Sequence, residues 1–310
     1  MRFTKTLKCF VVLAVMSVGS LTSCRNRPVD DPVPSYLTLS ARVVSLEYGK
    51  QEAWENEAEV GVFVTETGSN VLVSGNENIR YKAEKTIGLI PLAPAADPVL
   101  LPDDGVVVDI AAYYPYSPGI VADSDGRYLY EVDLTDQTSP QPRMLLLSRV
   151  AQRNSVMNTA MLTMRPAYSK LKLTVSADTE TKSSGSELSL AISGMPFEAS
   201  VDLISGEYVS YGADRNVSLL KTSRYTYEVI LLAHTIAEDA LLTVTEVTSD
   251  GTQTHSVRLD DILASIEQNK LYDLNISVSP DGIDATLVGL SDLYVSDWKD
   301  DFEDVNGEVR

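Results

Sequence analysis

Apolar and polar residues alternate along most of this chain in short runs, and the period is two. From Tyr36 to Glu47 (YLTLSARVVSLE), Leu37, Leu39, Ala41 and Val43 share one face against polar neighbours, which predicts a half-buried strand. Glu59–Thr65 (EVGVFVT) repeats the pattern with Val60, Val62 and Val64. Gly105 to Tyr116 (GVVVDIAAYYPY) is the strongest apolar strand, ended by Pro115, which has no N–H for a ladder. Tyr128–Leu134 follows a DSDG turn at Asp123–Gly126, and Leu145–Val150, Ala160–Pro166 and Tyr168–Ala177 come next. In the last of these, Leu171, Leu173 and Val175 oppose Lys170, Lys172 and Thr174.

A polar Gly/Ser stretch, Asp178–Ser186, then interrupts the pattern and marks a domain boundary. Beyond it the same style resumes, from Glu187–Ser193 to Asp284–Val295, with turns at Ser205-Gly206 and Ser249–Gly251. Only Leu259–Gln268 departs from it. Leu259, Ile262, Leu263 and Ile266 fall at helical spacing, and Asp260 and Asp261 would sit in the first turn, where the dipole favours anions. The expected fold is all-β: two antiparallel β-sandwiches in series, over residues 36–180 and 181–310, with one short helix and an acidic tail in the second.

The N-terminus differs. Arg2, Lys5 and Lys8 precede an apolar run, Cys9–Ser20, that falls short of the roughly 20 residues a membrane-spanning helix needs. Leu21-Thr22-Ser23-Cys24 then looks like a bacterial lipobox. Residues 1–23 are expected to be a lipoprotein signal, Cys24 the acylated first residue of the mature chain, and residues 24–35, with three prolines, a tether. Losing the signal removes Cys9, so Cys24 has no intramolecular thiol to pair with and no Cys-based metal site can form. The signal carries three of the 25 basic residues and none of the 44 acidic ones, leaving 22 against 44, or −22. Such a charge excludes nucleic acid as a partner and disfavours a purely electrostatic hold on anionic lipid, so a covalent anchor is the sensible route to a membrane.

Candidate chemistry is sparse. His234 and His255 are the only histidines, and each reads as a strand-edge or surface residue rather than a metal ligand. No nucleophile elbow, dinucleotide fingerprint or phosphate loop occurs. The acidic pairs Asp103-Asp104 and Asp260-Asp261 and the run Asp297–Asp304 read as solvated turns and tail. Asp123-Ser-Asp-Gly-Arg is a poor match to a calcium loop. Tyr113-Tyr114-Pro115-Tyr116 could stack a sugar, but alternation puts one of the adjacent tyrosines in the core and the other in solvent. No cofactor, metal or catalytic residue is expected, and a binding or structural role follows.

The landmarks together resemble the fimbrillin-like proteins of the Bacteroidota. They are the lipobox, EVGVFV at Glu59–Val64, AAYYPYSP at Ala111–Pro118, MRPAYSKLKLTV at Met164–Val175, NKLYDLNISV at Asn269–Val278 and VSDW at Val295–Trp298. At Pro166-Ala167-Tyr168 the chain departs from the hydrophobic-His pair usual there. The resemblance implies two transthyretin-like sandwiches, export as an outer-membrane lipoprotein at the cell surface, and assembly with other fimbrial subunits. It also implies that an arginine-specific protease cuts after the first strand, and that an extended segment of the next subunit fills the groove. Carried onto this sequence, the cut falls at Arg42. The exchanged strands are the first, with Tyr36, Leu37, Leu39 and Val43, and a C-terminal donor over Asp284–Val295, with Leu287, Leu290 and Tyr294. The rival reading is a lipid-anchored surface protein that does not polymerise and binds a glycan or host ligand.

Overall fold

The computed structural model describes residues 35–43, 57–84, 89–102, 105–138, 145–177, 187–249, 251–279 and 282–292, all within one compact unit, Ser35–Arg310. Strands β1 (Thr38–Val43), β2 (Glu59–Glu66), β3 (Ile79–Ala83), β4 (Ile90–Pro94) and β5 (Val108–Tyr114) open the unit. They are followed by β6 (Leu129–Asp133), β7 (Leu146–Arg153), β8 (Thr159–Pro166) and β9 (Ser169–Ala177). Next come β10 (Glu187–Pro196), β11 (Glu198–Asp202), β12 (Tyr208–Tyr211), β13 (Asp214–Ser218), β14 (Leu220–Lys221) and β15 (Thr226–Leu231). The chain continues through β16 (His234–Thr235), β17 (Leu241–Thr248), β18 (Gly251–Arg258), β19 (Ser265–Ile266), β20 (Lys270–Ser279) and β21 (Gly282–Asp292). The architecture is all-β, as the alternation predicts.

The first seven-stranded sheet closes on itself in the order β1-β4-β3-β2-β5-β7-β8. Closure comes from β1, which runs antiparallel to β4 and parallel to β8 from Thr38–Thr159 to Val43–Met164. Leu37, Leu39, Ala41, Val60, Val62, Val64, Ile110, Ala112 and Leu162 fill this barrel.

The remaining strands enclose a second core. Its sheets run β13-β10-β17-β18, β12-β11-β6 and β14-β15-β9-β20-β21. Alternate residues of β9 (Leu171, Leu173), β15 (Tyr227, Val229), β17 (Leu242, Val244) and β20 (Leu274, Ile276) converge there. Two elements cross the expected sequence boundary. β9 precedes Asp178–Ser186 yet hydrogen-bonds to β15 and, in parallel, to β20. β6 pairs with β11 in the same way.

The strands β2 and β5 form a wall shared by the two cores. Their one face (Val60, Val62, Ile110, Ala112) points into the barrel, and the other (Phe63, Ala111, Tyr113) into the second core. A strand covered on both sides reads as a continuous apolar run, which is what GVVVDIAAYY is. The adjacent tyrosines therefore divide between two cores rather than between core and solvent: Tyr113 is fully buried in the second and Tyr114 packs against the barrel. Gly61 makes the close approach feasible, since a Cβ there would lie 2.0 Å from the Tyr113 ring.

The expected helix at Leu259–Gln268 does not form. The segment makes one tight turn, in which the N–H groups of Ile262 and Leu263 donate to the Leu259 carbonyl at 3.1 and 2.9 Å. It then enters β19, paired with β16. Helical spacing misled because Leu259, Leu263 and Ile266 are buried from a turn and a bridge, which bring the same three residues inward without a helix.

Asp109, at the far end of β5, accepts from the N–H groups of Gly68 and Gln152 at 3.1 and 3.0 Å, with the Arg149 guanidinium at 3.5 Å. Burial alone would raise its pKa, but these partners hold it below the ordinary 3.8. A depressed carboxyl contributes stability that is complete above the unfolded value and disappears as pH falls through the folded one. Wild-type protein is expected to lose thermal stability progressively below about pH 4, with Asp109→Asn losing visibly less over that window in a pH series of melting curves.

Candidate assembly surfaces on β1 and β21

The alternation of β1 sets its chemistry. Leu37, Leu39 and Ala41 point inward and are at most 4% exposed, while Thr38 and Arg42 point outward. The strand is fastened at its start, where the Leu37 N–H donates to Val99 O at 2.9 Å and the Thr38 N–H to Asn158 O at 2.8 Å. On one side its partner is imperfect, because Ser40 faces Pro91, which has no N–H to give. Arg42 is exposed and sits opposite Thr163 of β8. Val43 ends the strand opposite Met164. Tyr36 lies before the strand, bridges Leu100 and is 49% exposed, so it does not share the inward face of Leu37 and Leu39.

The strand β21 is the outer member of its sheet and pairs with β20. Between Asp273 and Leu274 the register shifts, so that Gly289 faces Asp273 while Leu287 faces Leu274. Val288 is the extra residue of this bulge, and the shift sets Leu290 opposite Tyr272, on the same face of the sheet as Leu287 opposite Leu274. Leu287, Val288 and Leu290 are 37%, 56% and 54% exposed. A long edge strand with exposed apolar side chains is a ready template for pairing with another chain. Its last residue, Asp292, lies 2.9 Å from Lys270 and 3.7 Å from Arg165, and the Lys270 ammonium holds its carboxyl below the ordinary value. β1 and β21 belong to different sheets, so the chain does not bring its two candidate strands together. Cys24, the signal, the tether up to Pro34, Tyr294, Trp298 and the acidic tail lie outside the described residues.

The other candidates resolve into structural roles. The Tyr113 hydroxyl donates to Asn78 Oδ1 at 2.8 Å, and burial pushes its pKa up to about 12. In the Asp123 loop, Asp123 accepts from the N–H groups of Asp125 and Arg127 at 2.8 and 2.9 Å. The Arg127 guanidinium reaches Asp123 at 3.0 Å and Asp125 at 2.7 Å, so an arginine stands between these carboxylates. His234 is half-buried: its Nδ1 lies 2.8 Å from Leu232 O, and burial holds its pKa below the usual imidazole value. His255 lies on β18 opposite Val244. Among the described residues no three His, Cys, Asp or Glu side chains gather in a metal-binding group.

Sequence reasoning missed one aromatic group. Tyr208 and Tyr211 stack at 5.5 Å, with His234 6.1 Å from Tyr211. Three residues apart in EYVSY, the two tyrosines are on opposite faces by strict alternation, and the bulge where β11 pairs β12 is what brings them together.

No curated protein matches the sequence. Solved structures do match in fold. A candidate cell adhesion protein of Bacteroides uniformis aligns with a TM-score of 0.63 at 19% identity, over 84% of this chain and 97% of that one. A second, from Bacteroides ovatus, gives 0.61 at 17%, over 85% and 99%. The tip fimbrial protein Mfa3 of Porphyromonas gingivalis, with a C-terminal truncation, gives 0.50 at 10%, over 84% and 100%. In sequence, the fimbrillin-like family pattern matches residues 42–298, from the end of β1 to beyond β21, and the chain belongs to that family.

Proposed function

We propose that the chain is a non-enzymatic fimbrial subunit of two transthyretin-like halves, exported to the outer membrane through acylated Cys24 and assembled at the cell surface by strand addition. The observation that carries this reading is β21, an edge strand whose Leu287, Val288 and Leu290 are exposed in the free chain. Its complement is the slot of β1, which lies between β4 and β8 and receives alternate apolar side chains. With β1 gone, that slot is an apolar groove with unpaired backbone on both sides, and a donor strand of a neighbouring subunit satisfies both.

Arg42 is the proposed cut position. Proteases take their substrates extended, and β1 is held in ladders on both sides, so it must open locally before cleavage. A cut after Arg42 then makes the opening permanent. Because Leu287 and Leu290 are exposed, Leu287→Lys with Leu290→Lys is expected to leave the fold and melting temperature unchanged while abolishing the SDS-resistant ladders of assembled subunits. Ladders of normal length from the double variant would contradict the reading. A non-polymerising glycan binder is the second reading, favoured by Tyr211, which is 43% exposed and stacked on Tyr208.

A further inference from the structure

The chain's acidity is not evenly spread. From Gln137 to Ala177 there is no Asp or Glu in 41 residues, although the chain holds 44, and this stretch carries six Lys or Arg. It contains β7, β8 and the turn between them. β7 pairs β8 at Leu146–Pro166 and Leu147–Arg165, beyond which the described register gives them no further partners in each other. Their connecting turn, Asn154–Asn158, lies at the end of the barrel where β1 begins, since Thr159 is opposite Thr38.

That turn is built to hold apolar side chains outward. Asn154 Oδ1 accepts from the N–H groups of Val156 and Met157 at 3.0 and 2.8 Å, fixing a side-chain-capped turn with these two residues at its tip. Val156 is 87% exposed and Met157 51%. The apolar surface continues around them. Ser35 Oγ donates to Ser155 O at 2.7 Å, the Asn158 side-chain amide donates to Tyr36 O at 3.1 Å, and Tyr36 bridges Leu100. Tyr36 and Leu100 are 49% and 48% exposed. Arg153 and Arg149 lie on β7 behind the tip.

We propose that this end of the barrel, with Val156 and Met157 at its tip and Tyr36 and Leu100 beside them, is a lipid-docking surface. Two observations select lipid as the occupant. The first is where the chain enters. Ser35 is hydrogen-bonded to the turn itself and is eleven residues beyond Cys24, a tether of at most about 40 Å when fully extended. The patch is thus where the folded unit joins the proposed tether, and this step rests on the acylation reading. The second is charge. An acidic protein is repelled from an anionic surface, and within residues 35–310 this segment is the longest stretch free of carboxylates. Arg149 already faces Asp109, so apolar insertion of the tip carries most of the affinity and the cations orient it.

The test uses residues 35–310, the compact unit that contains both cores and lacks Cys24. It is floated with vesicles of phosphatidylglycerol and phosphatidylcholine in equal parts. Wild-type protein is expected to float with the vesicles. Val156→Asp and Met157→Asp are each expected to lower the bound fraction about tenfold without moving the melting temperature, since both side chains are already exposed. Three results would overturn the proposal: no flotation of the wild type, undiminished flotation of the variants, or a wild-type dimer in sedimentation that the variants split, which would assign the patch to a second copy. Neither acylation nor ladder formation enters this assay, so its failure leaves the fimbrial reading standing, and the ladder experiment can fail while vesicles still bind.

Discussion

Replacing Leu39 with aspartate is expected to destabilise the protein by more than about 4 kcal/mol in urea titration, enough to unfold a marginal domain. Leu39 is 2% exposed and faces Leu92 on one neighbour and Ala160 on the other. The substitution removes about 2 kcal/mol of apolar burial and puts a carboxylate where no described side chain offers it a partner. The neighbouring Thr38→Asp is the control: Thr38 points outward on the same strand, and its change is expected to stay within about 0.5 kcal/mol. The contrast matters for assembly, because a strand worth this much cannot simply be lost. Its slot has to be refilled by another strand, and the apolar requirement at Leu37, Leu39 and Ala41 is what a donor must meet.

The second large effect is expected on the β9–β15 ladder, on the face opposite Leu171 and Val229. Lys170 and Glu228 are 5% and 8% exposed and lie 2.7 Å apart, reaching across the β9–β15 ladder. Lys170→Met alone is expected to cost about 3 kcal/mol, because it strips a buried carboxylate of its cation. Lys170→Met combined with Glu228→Leu should recover most of that loss, since two well-packed apolar side chains need no charge partner. Urea titration of the two singles and the double closes the cycle. Additive losses would show that the two charges do not depend on each other.

Local patterning made most strands readable, because period-two alternation survives wherever one face is wet. β1, β2, β8, β9 and β20 all fall where their alternation places them. What escaped depends on partners distant in sequence. Nothing within Thr38–Val43 shows that it will lie parallel to Thr159–Met164 and close a barrel. Nothing in Tyr113-Tyr114 shows that both sides of β5 will be covered, although the unbroken apolar run was a signal for it. The helix at Leu259 failed for a related reason: the spacing reported which residues are buried, not the backbone that buries them. Among the site residues, alternation located Leu37 and Leu39 on an inward face. Exposure of Leu287 and Leu290 came instead from the place of β21 at the edge of its sheet, which no local pattern announces. Net charge hid the carboxylate-free stretch at Gln137–Ala177, which a windowed count exposes.

The most direct measurement of assembly by strand addition is the N-terminal sequence of the protein recovered from SDS-resistant ladders at the cell surface. A chain beginning at Val43, with β1 cut away after Arg42, is the expected result. Ladders built from chains that still begin at acylated Cys24 and keep β1 would contradict it.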